Sequence, residues 1–280
     1  SGVVSVADNS NLNYEAAQSC TVTIKAESSD GSDASTVFTI SVTNEAVTVT
    51  DSAFAIDEDT SVGNTVLATI AATGDTGSLT WAIDSGNTGN AFAIGSSTGQ
   101  ITLAAAVDYE TTTSYDLVVS ATDGTAADTE TITVTINDVN DQTPTYTAGS
   151  TTISVAEGTS ANIDSFSITD TDTVGSLTCT ESGADANDFA CSISGSTLTV
   201  TWSATPDYDN AADSDGDNEY TYTIVVGDGT NSASATTYTV TVTDENDQTP
   251  TYSSSDTTPS ITEGTTAVET LTVTDTDTGD

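Results

Sequence analysis

Apolar and polar residues alternate in short runs along the chain: Val37, Ile40 and Val42; Ile132, Val134 and Ile136; Leu198, Val200 and Trp202; Tyr238, Val240 and Val242. Alternation of this kind turns one face of a strand to a core and the other to water. Each run is bounded by Gly, Asp, Asn or Ser, and no long stretch carries helical spacing. The pattern predicts an all-β chain of Greek-key β-sandwiches, about seven strands in each.

The punctuation between runs repeats. Asn140-Asp141-Gln142-Thr143-Pro144-Thr145-Tyr146 returns as Asn246-Asp247-Gln248-Thr249-Pro250-Thr251-Tyr252, and each is followed by Glu-Gly-Thr, at Glu157 and at Glu263. Asp-Gly pairs at Asp30, Asp123 and Asp228 each precede a last strand and then a linker near 44, 138 and 244. The chain therefore reads as a tandem array. Residues 1–45 are the C-terminal part of a repeat, 46–141 and 142–247 are complete repeats, and 248–280 are the N-terminal part of another.

Asp275-Thr276-Asp277 aligns with Asp170-Thr171-Asp172, and Ser1-Gly2-Val3-Val4-Ser5-Val6 aligns with the segment from Ser194 to Thr199. The tail thus stops shortly before the point in the repeat where the head begins. A window cut from a longer array accounts for this. So does a filament in which the tail of one chain meets the head of an identical one, since half a sandwich leaves an apolar face unpaired.

Charge narrows the partners. Lys25 is the one basic residue against 43 acidic ones, giving a net charge of −42 with no His. Nucleic acid and anionic membranes are excluded, because both need Lys or Arg to displace counterions. A surface this acidic repels itself unless cations or salt neutralise it. Calcium, a hard ion that takes oxygen ligands, is the natural candidate; a solvated acidic surface is the plain alternative, and clustering decides between them. No stretch approaches the roughly 20 apolar residues of a membrane helix, and no signal-peptide pattern opens the chain.

Catalysis is not expected. The absence of His removes the commonest triads and acid–base groups. Paired carboxylates suit glycoside hydrolysis, but here every pair is better explained by the joints. Trp81, Trp202 and the tyrosines of the Asp-Tyr-Glu-like turns read as core and corner residues, which leaves a carbohydrate-binding module unsupported.

The joints resemble those of cadherin and bacterial cadherin-like repeats, whose marker is Asp-x-Asn-Asp-Asn followed by an apolar residue and Pro. Here it reads Asp138-Val139-Asn140-Asp141-Gln142-Thr143-Pro144 and Asp244-Glu245-Asn246-Asp247-Gln248-Thr249-Pro250, with Gln for the last Asn. The early Glu of that family is matched by Glu58, Glu157 and Glu263, its mid-repeat Asp-x-Glu by Asp108-Tyr109-Glu110 and by the shorter Asp207-Tyr208-Asp209. Its Asp-x-Asp is matched by Asp170-Thr171-Asp172 and Asp275-Thr276-Asp277, and its late Asp by Asp123 and Asp228.

The resemblance implies several calcium ions at each joint, turning an elongated string of repeats into a rod. One joint would take Glu58, Asp108, Glu110, Asp138, Asp141, Asp170, Asp172 and Asp228 with the amide of Asn140. The next would take Glu157, Asp207, Asp209, Asp244, Asn246, Asp247, Asp275 and Asp277. The first joint departs from the pattern: Asn44-Glu45-Ala46-Val47 stands in the linker and Thr73-Gly74-Asp75 downstream, while Glu15 and Asp123 remain. It is expected to bind fewer ions or none, and to be either a flexible point or a directly packed one. Asp213, Asp215 and Asp217 alternate around Gly216 in an insertion, where a local calcium loop and a solvated turn both fit.

Cys179 and Cys191 align with Trp81 and Ile94, positions that alternation turns inward on adjacent strands, so a disulfide is expected, with two buried thiols as the alternative. Cys20 has no partner in the chain. The sequence as a whole reads as an extracellular, calcium-rigidified stalk, spacer or fibre on a cell surface, expected to be bacterial. Its partners are neighbouring repeats or identical chains, and any cell-surface or glycan ligand falls to a domain outside this segment.

Overall fold

Alternation becomes pairing over most of the chain, and a computed structural model describes residues 3–7, 12–14, 16–50, 53–63, 66–74, 78–160, 162–254 and 256–277. Two units form, Ser1–Val139 and Asn140–Asp280.

In the first unit, β1 (Ser19–Glu27) and β2 (Asp33–Ser41) make an antiparallel hairpin. Asp30-Gly31 closes it: Gly31 sits at φ 84°, where a side chain is strained, and the Ser32 N–H donates to Asp30 Oδ1 at 3.0 Å. Cys20 pairs with Ile40 and Val22 with Phe38, so Phe38, rather than the expected Val37, shares the face of Ile40. That face is exposed.

The rest of this unit is a sandwich of β3 (Thr48–Val49), β4 (Phe54–Asp57), β5 (Val66–Thr69), β6 (Ala72–Thr73), β7 (Thr80–Ser85), β8 (Phe92–Ile94), β9 (Gln100–Leu103), β10 (Ser114–Thr122) and β11 (Ala127–Asn137). One sheet runs β4-β11-β10-β7; β5-β9-β8 and the short pair β3-β6 face it. Ile101, Leu117, Val119, Ile132 and Val134 are fully buried, and Trp81 is a core residue as expected.

The second unit repeats the plan with β12 (Thr145–Tyr146), β13 (Thr152–Ala156), β14 (Asn162–Thr169), β15 (Thr178–Ser182), β16 (Phe189–Ser194), β17 (Thr197–Trp202), β18 (Glu219–Gly227) and β19 (Thr236–Thr243). Its sheets run β13-β19-β18-β15 and β12-β14-β17-β16. A further pair follows, β20 (Thr251–Ser253) with β21 (Thr272–Thr274). The core here is aromatic: Tyr222 stacks on Tyr238 with ring centroids 5.2 Å apart, and Phe189 stacks on Trp202 at 4.8 Å.

Cys179 and Cys191 are joined, with Cα atoms 6.2 Å apart. They lie on β15 and β16, which belong to opposite sheets rather than to adjacent strands of one sheet. A single 3-10 turn at Ala186–Asp188 carries the chain across the sandwich between them. The bond is therefore a staple between layers. Cys20 is a free, exposed thiol.

Both sandwiches share one feature that alternation does not reveal. β4 pairs parallel with β11, and β13 parallel with β19, whereas the other ladders among the described residues are antiparallel. In each case the strand's last pair, Asp57–Asn137 and Ala156–Thr243, delivers a glutamate beside the start of the following linker.

Candidate metal centre

That delivery builds the site from the backbone upward. The Glu58 N–H donates to Asn137 O at 3.2 Å and the Glu157 N–H to Thr243 O at 3.0 Å, which fixes both residues at the sheet edge. Each side chain then turns inward, to 7% exposure. Glu58 Oε2 accepts the Tyr109 N–H at 2.6 Å and Oε1 the Val139 N–H at 2.8 Å. Glu157 repeats this with Tyr208 at 2.6 Å and Glu245 at 2.8 Å. One carboxylate thus ties the Asp-Tyr turn of its own repeat to the linker that leaves it.

Further carboxylates gather around these anchors. In the first unit, oxygens of Glu58, Glu110 and Asp138 lie within 4.8 Å of one another. In the second, the same closeness holds for Asp170, Asp172 and Asp228, for Glu157, Asp209 and Asp247, and for Asp209, Asp244 and Asp277. Asp209 belongs to both of the last two groups. The ladder and turn geometry accounts for the placement: the Gln142 N–H donates to Asp172 Oδ2 at 2.9 Å, and the Gln248 N–H to Asp277 Oδ2 at 3.0 Å. Asp172 and Asp277 in turn donate their N–H groups to Asp170 and Asp275.

Asp228 does two tasks. Its Oδ1 accepts the Thr230 and Asn231 N–H groups, each at 2.7 Å, and so closes the β18–β19 hairpin. Its backbone oxygen accepts Asn140 Nδ2 at 3.2 Å. Gly175 makes room for this contact, because a Cβ there would fall 2.3 Å from Asn140 Nδ2.

The donor set fits a hard cation. All of the clustered groups offer oxygen, and three buried oxygens, Asn140 Oδ1, Asp209 Oδ2 and Asp228 Oδ2, receive no hydrogen bond. No cationic side chain competes: the sole basic residue, Lys25, is paired with Asp33 at 2.8 Å. Desolvation, followed by the charges of Asp277, Glu157 and Asp244, pushes the Asp209 carboxyl above its usual range, against an opposing hydrogen bond from Thr276. Desolvation likewise pushes Asp277 up, with Asp275 and Asp244 adding to it. Several like charges held this close call for a counter-ion.

Several expected ligands, clustered or not, also make local hydrogen bonds. Asp108 accepts the Thr111 N–H and hydroxyl, and Asp207 the Asn210 N–H, so both shape their own turns. Asp141 and Asp247 are exposed, and each accepts the Nε2 of the next residue, Gln142 or Gln248, at 2.7 Å. This contact gives the Gln that replaces the family's Asn a role. Asn246 lies in the linker, and Glu15 and Asp75 lie outside the described residues.

The acidic insertion has a partner that sequence reading missed. Asp185, 3% exposed, accepts the Ser214 N–H at 2.8 Å and the Thr221 N–H at 2.7 Å. Asp213 accepts the Asp217 and Asn218 N–H groups, and Asp217 accepts that of Glu219. Asp215 is pushed up by Asp217 first and then by its contact with Asp213. Asp185 stands 28 residues before Asp213 in the chain, in a Gly-Ala-Asp segment that resembles an ordinary turn.

A family model for the cadherin domain matches residues 52–137. Residues 52–137 are a cadherin-like repeat. Cadherin EGF LAG seven-pass G-type receptor 1 of Mus musculus is 38% identical over 125 residues, which is 42% of the chain and 4% of the receptor. Protocadherin Fat 4 of the same species is 42% identical over 97 residues, 32% of the chain and 2% of that protein. Neural-cadherin of Drosophila melanogaster is 38% identical over 92 residues. The cadherin-like chain thus spans only a few per cent of these relatives' length. All three are animal proteins, and none supports the bacterial source expected above.

Among solved structures, the protocadherin gamma B4 extracellular domain superposes with a TM-score of 0.63 at 20% identity, covering 95% of the chain and 44% of that structure. Mouse cadherin-23 EC22-24 gives 0.62 at 20% identity, covering 83% and 77%. These likenesses concern the fold.

Proposed function

We propose that this chain is a segment of an extracellular array in which calcium at the joints holds successive cadherin-like repeats stiffly in series, so that its work is mechanical: a stalk, spacer or fibre. The observation that carries this reading is the group Asp209, Asp244 and Asp277, one carboxylate each from a repeat, the linker after it and the segment beyond. An ion bound there would cross-link three pieces of backbone that are otherwise joined only in series. Glu58 with Glu110 and Asp138, and Asp170 with Asp172 and Asp228, would be filled in the same way.

The chain's own residues do the preparatory work. Glu58 and Glu157 lock the linker start, the hairpin turn presents Asp228, and Gln142 and Gln248 hold the exposed linker carboxylates. Calcium supplies the charge that lets these groups stay together. Equilibrium dialysis combined with small-angle scattering tests the proposal: the wild-type chain should bind several ions and lose maximum dimension or order in chelator. Asp209→Asn should reduce the number bound. A chain that binds no calcium at millimolar concentration, with identical scattering in chelator, would refute it.

A further inference from the structure

The first joint is made differently. Aligned on the later joints, it has Asn13 for Asp108, Asn44 for Asp138, Ala46 for Asn140, Val47 for Asp141 and Thr73 for Asp170, so five oxygen-bearing positions are altered together. The replacements are not passive. Val47 is 4% exposed in the core of the following sandwich, where its counterpart Asp141 is exposed. Gly74 sits at φ 105° with its α carbon against the linker, and a Cβ there would fall 2.0 Å from Ala46 O. β3 then pairs with β6 through Thr48–Thr73 and Val49–Ala72. The Val49 N–H also donates to Asp128 Oδ2 at 2.8 Å.

The hairpin aspartate shows the same difference. Asp228 and Asp123 each accept two turn N–H groups on Oδ1, at 2.7 Å. The second oxygen of Asp228 receives no hydrogen bond, the Asn140 amide being engaged with the Asp228 backbone oxygen, whereas that of Asp123 accepts Asn44 Nδ2 at 3.3 Å, and the acceptor left over there is the neutral Asn44 Oδ1, buried without a donor. Asn44 is the residue that replaces the linker aspartate. A neutral amide donor therefore meets the carboxylate where a second carboxylate would need a cation between them.

We infer that this joint holds no calcium and is closed by protein alone: Asn44 on Asp123, Ala46 on Gly74, and Val47 and Val49 in the core. The array then contains one joint that keeps its order when calcium is withdrawn, and the inference draws on the calcium reading of the other joints only for contrast.

Amide hydrogen exchange on the full chain, with calcium and with chelator, tests it residue by residue. Protection at Val49, Thr125 and Ala126 should stay within about two-fold, while Thr230 and Asn231, on Asp228, should exchange at least about ten-fold faster in chelator. Dialysis gives a second readout: Asp123→Asn should leave the number of bound ions unchanged and Asp228→Asn should lower it. Loss of protection at Thr125 and Ala126 in chelator, or loss of an ion in Asp123→Asn, overturns the inference while leaving the calcium reading intact. Unchanged exchange at both sets, with no ion lost in either variant, sinks the calcium reading and leaves the first joint as described.

Discussion

At the scale of single residues, buried acceptors carry much of the organisation. Asp185 satisfies the Ser214 and Thr221 N–H groups, and its truncation strands buried donors. Asp185→Ala should cost about 1–3 kcal/mol, measured by urea denaturation, whereas Asp215→Ala, at an exposed position, should cost much less. Hydrogen bonds outweigh burial and hold the Asp185 carboxyl below its usual range. Its contribution is therefore present above the ordinary carboxylate pKa of about 4 and lost as pH falls through the lowered value. Gly175→Ala presses a methyl group on Asn140 Nδ2 at a backbone φ of 94°. Both stability and calcium affinity should fall, read by melting and by dialysis. Tyr222 behaves in the opposite sense: its hydroxyl is fully buried without a hydrogen bond, and burial pushes its pKa up. Tyr222→Phe should lose no stability in the same denaturation experiment.

At the scale of strands and turns, alternation located the ladders that matter. Ile132, Val134 and Ile136 on β11, and Tyr238, Val240 and Val242 on β19, are buried as the pattern requires. It failed where a fact lies outside period two. The parallel pairing of β4 and β13 has no local signature, since a strand reads the same whichever way its neighbour runs. That pairing is what puts Glu58 and Glu157 at a linker. Glu-Gly-Thr at Glu157 and Glu263 marks the position that Glu58 matches in the preceding repeat, but does not reveal that Glu58 and Glu157 each grip two backbone N–H groups. Asp108 and Asp207, matched by motif, also close Asx-type turns, as Asp228 does, a second use of short acidic residues that spacing does not reveal. Asp185 escaped notice because its partners are distant in sequence. The Val37 expectation slipped by one residue, which is enough to exchange the two faces of a strand.

At the scale of the whole chain, the charge of −42 sets the response to solution conditions. With calcium, acidification should lower the melting temperature, because protonated ligands release the ion. In chelator the sign reverses over the first part of the titration. Asp188, Asp209, Asp215 and Asp277 have raised carboxyls, so they favour the folded state at low pH and lose that contribution as pH rises through their raised values. The calcium-free chain should therefore gain melting temperature as pH falls toward the carboxylate range and lose it again once the lowered carboxyls of Asp123, Asp185, Asp213 and Asp228 are protonated, and added monovalent salt at pH 7 should mimic part of the gain. Differential scanning calorimetry across pH, with calcium and with chelator, checks both signs. A melting temperature that rises on acidification with calcium as well as in chelator would show that surface repulsion, and not bound ions, governs the chain.

The layer-to-layer bond between Cys179 and Cys191 changes how the chain would yield to force. Pulled from its ends, the first sandwich pays out its whole contour, but the 12-residue interval bridged in the second stays closed. At roughly 3.5 Å per extended residue, less the 6.2 Å already spanned, a reducing agent should add about 35 Å to the second sandwich's rupture step and nothing to the first. Of two repeats built to one plan, one carries a redox-dependent limit on how far it can be drawn out.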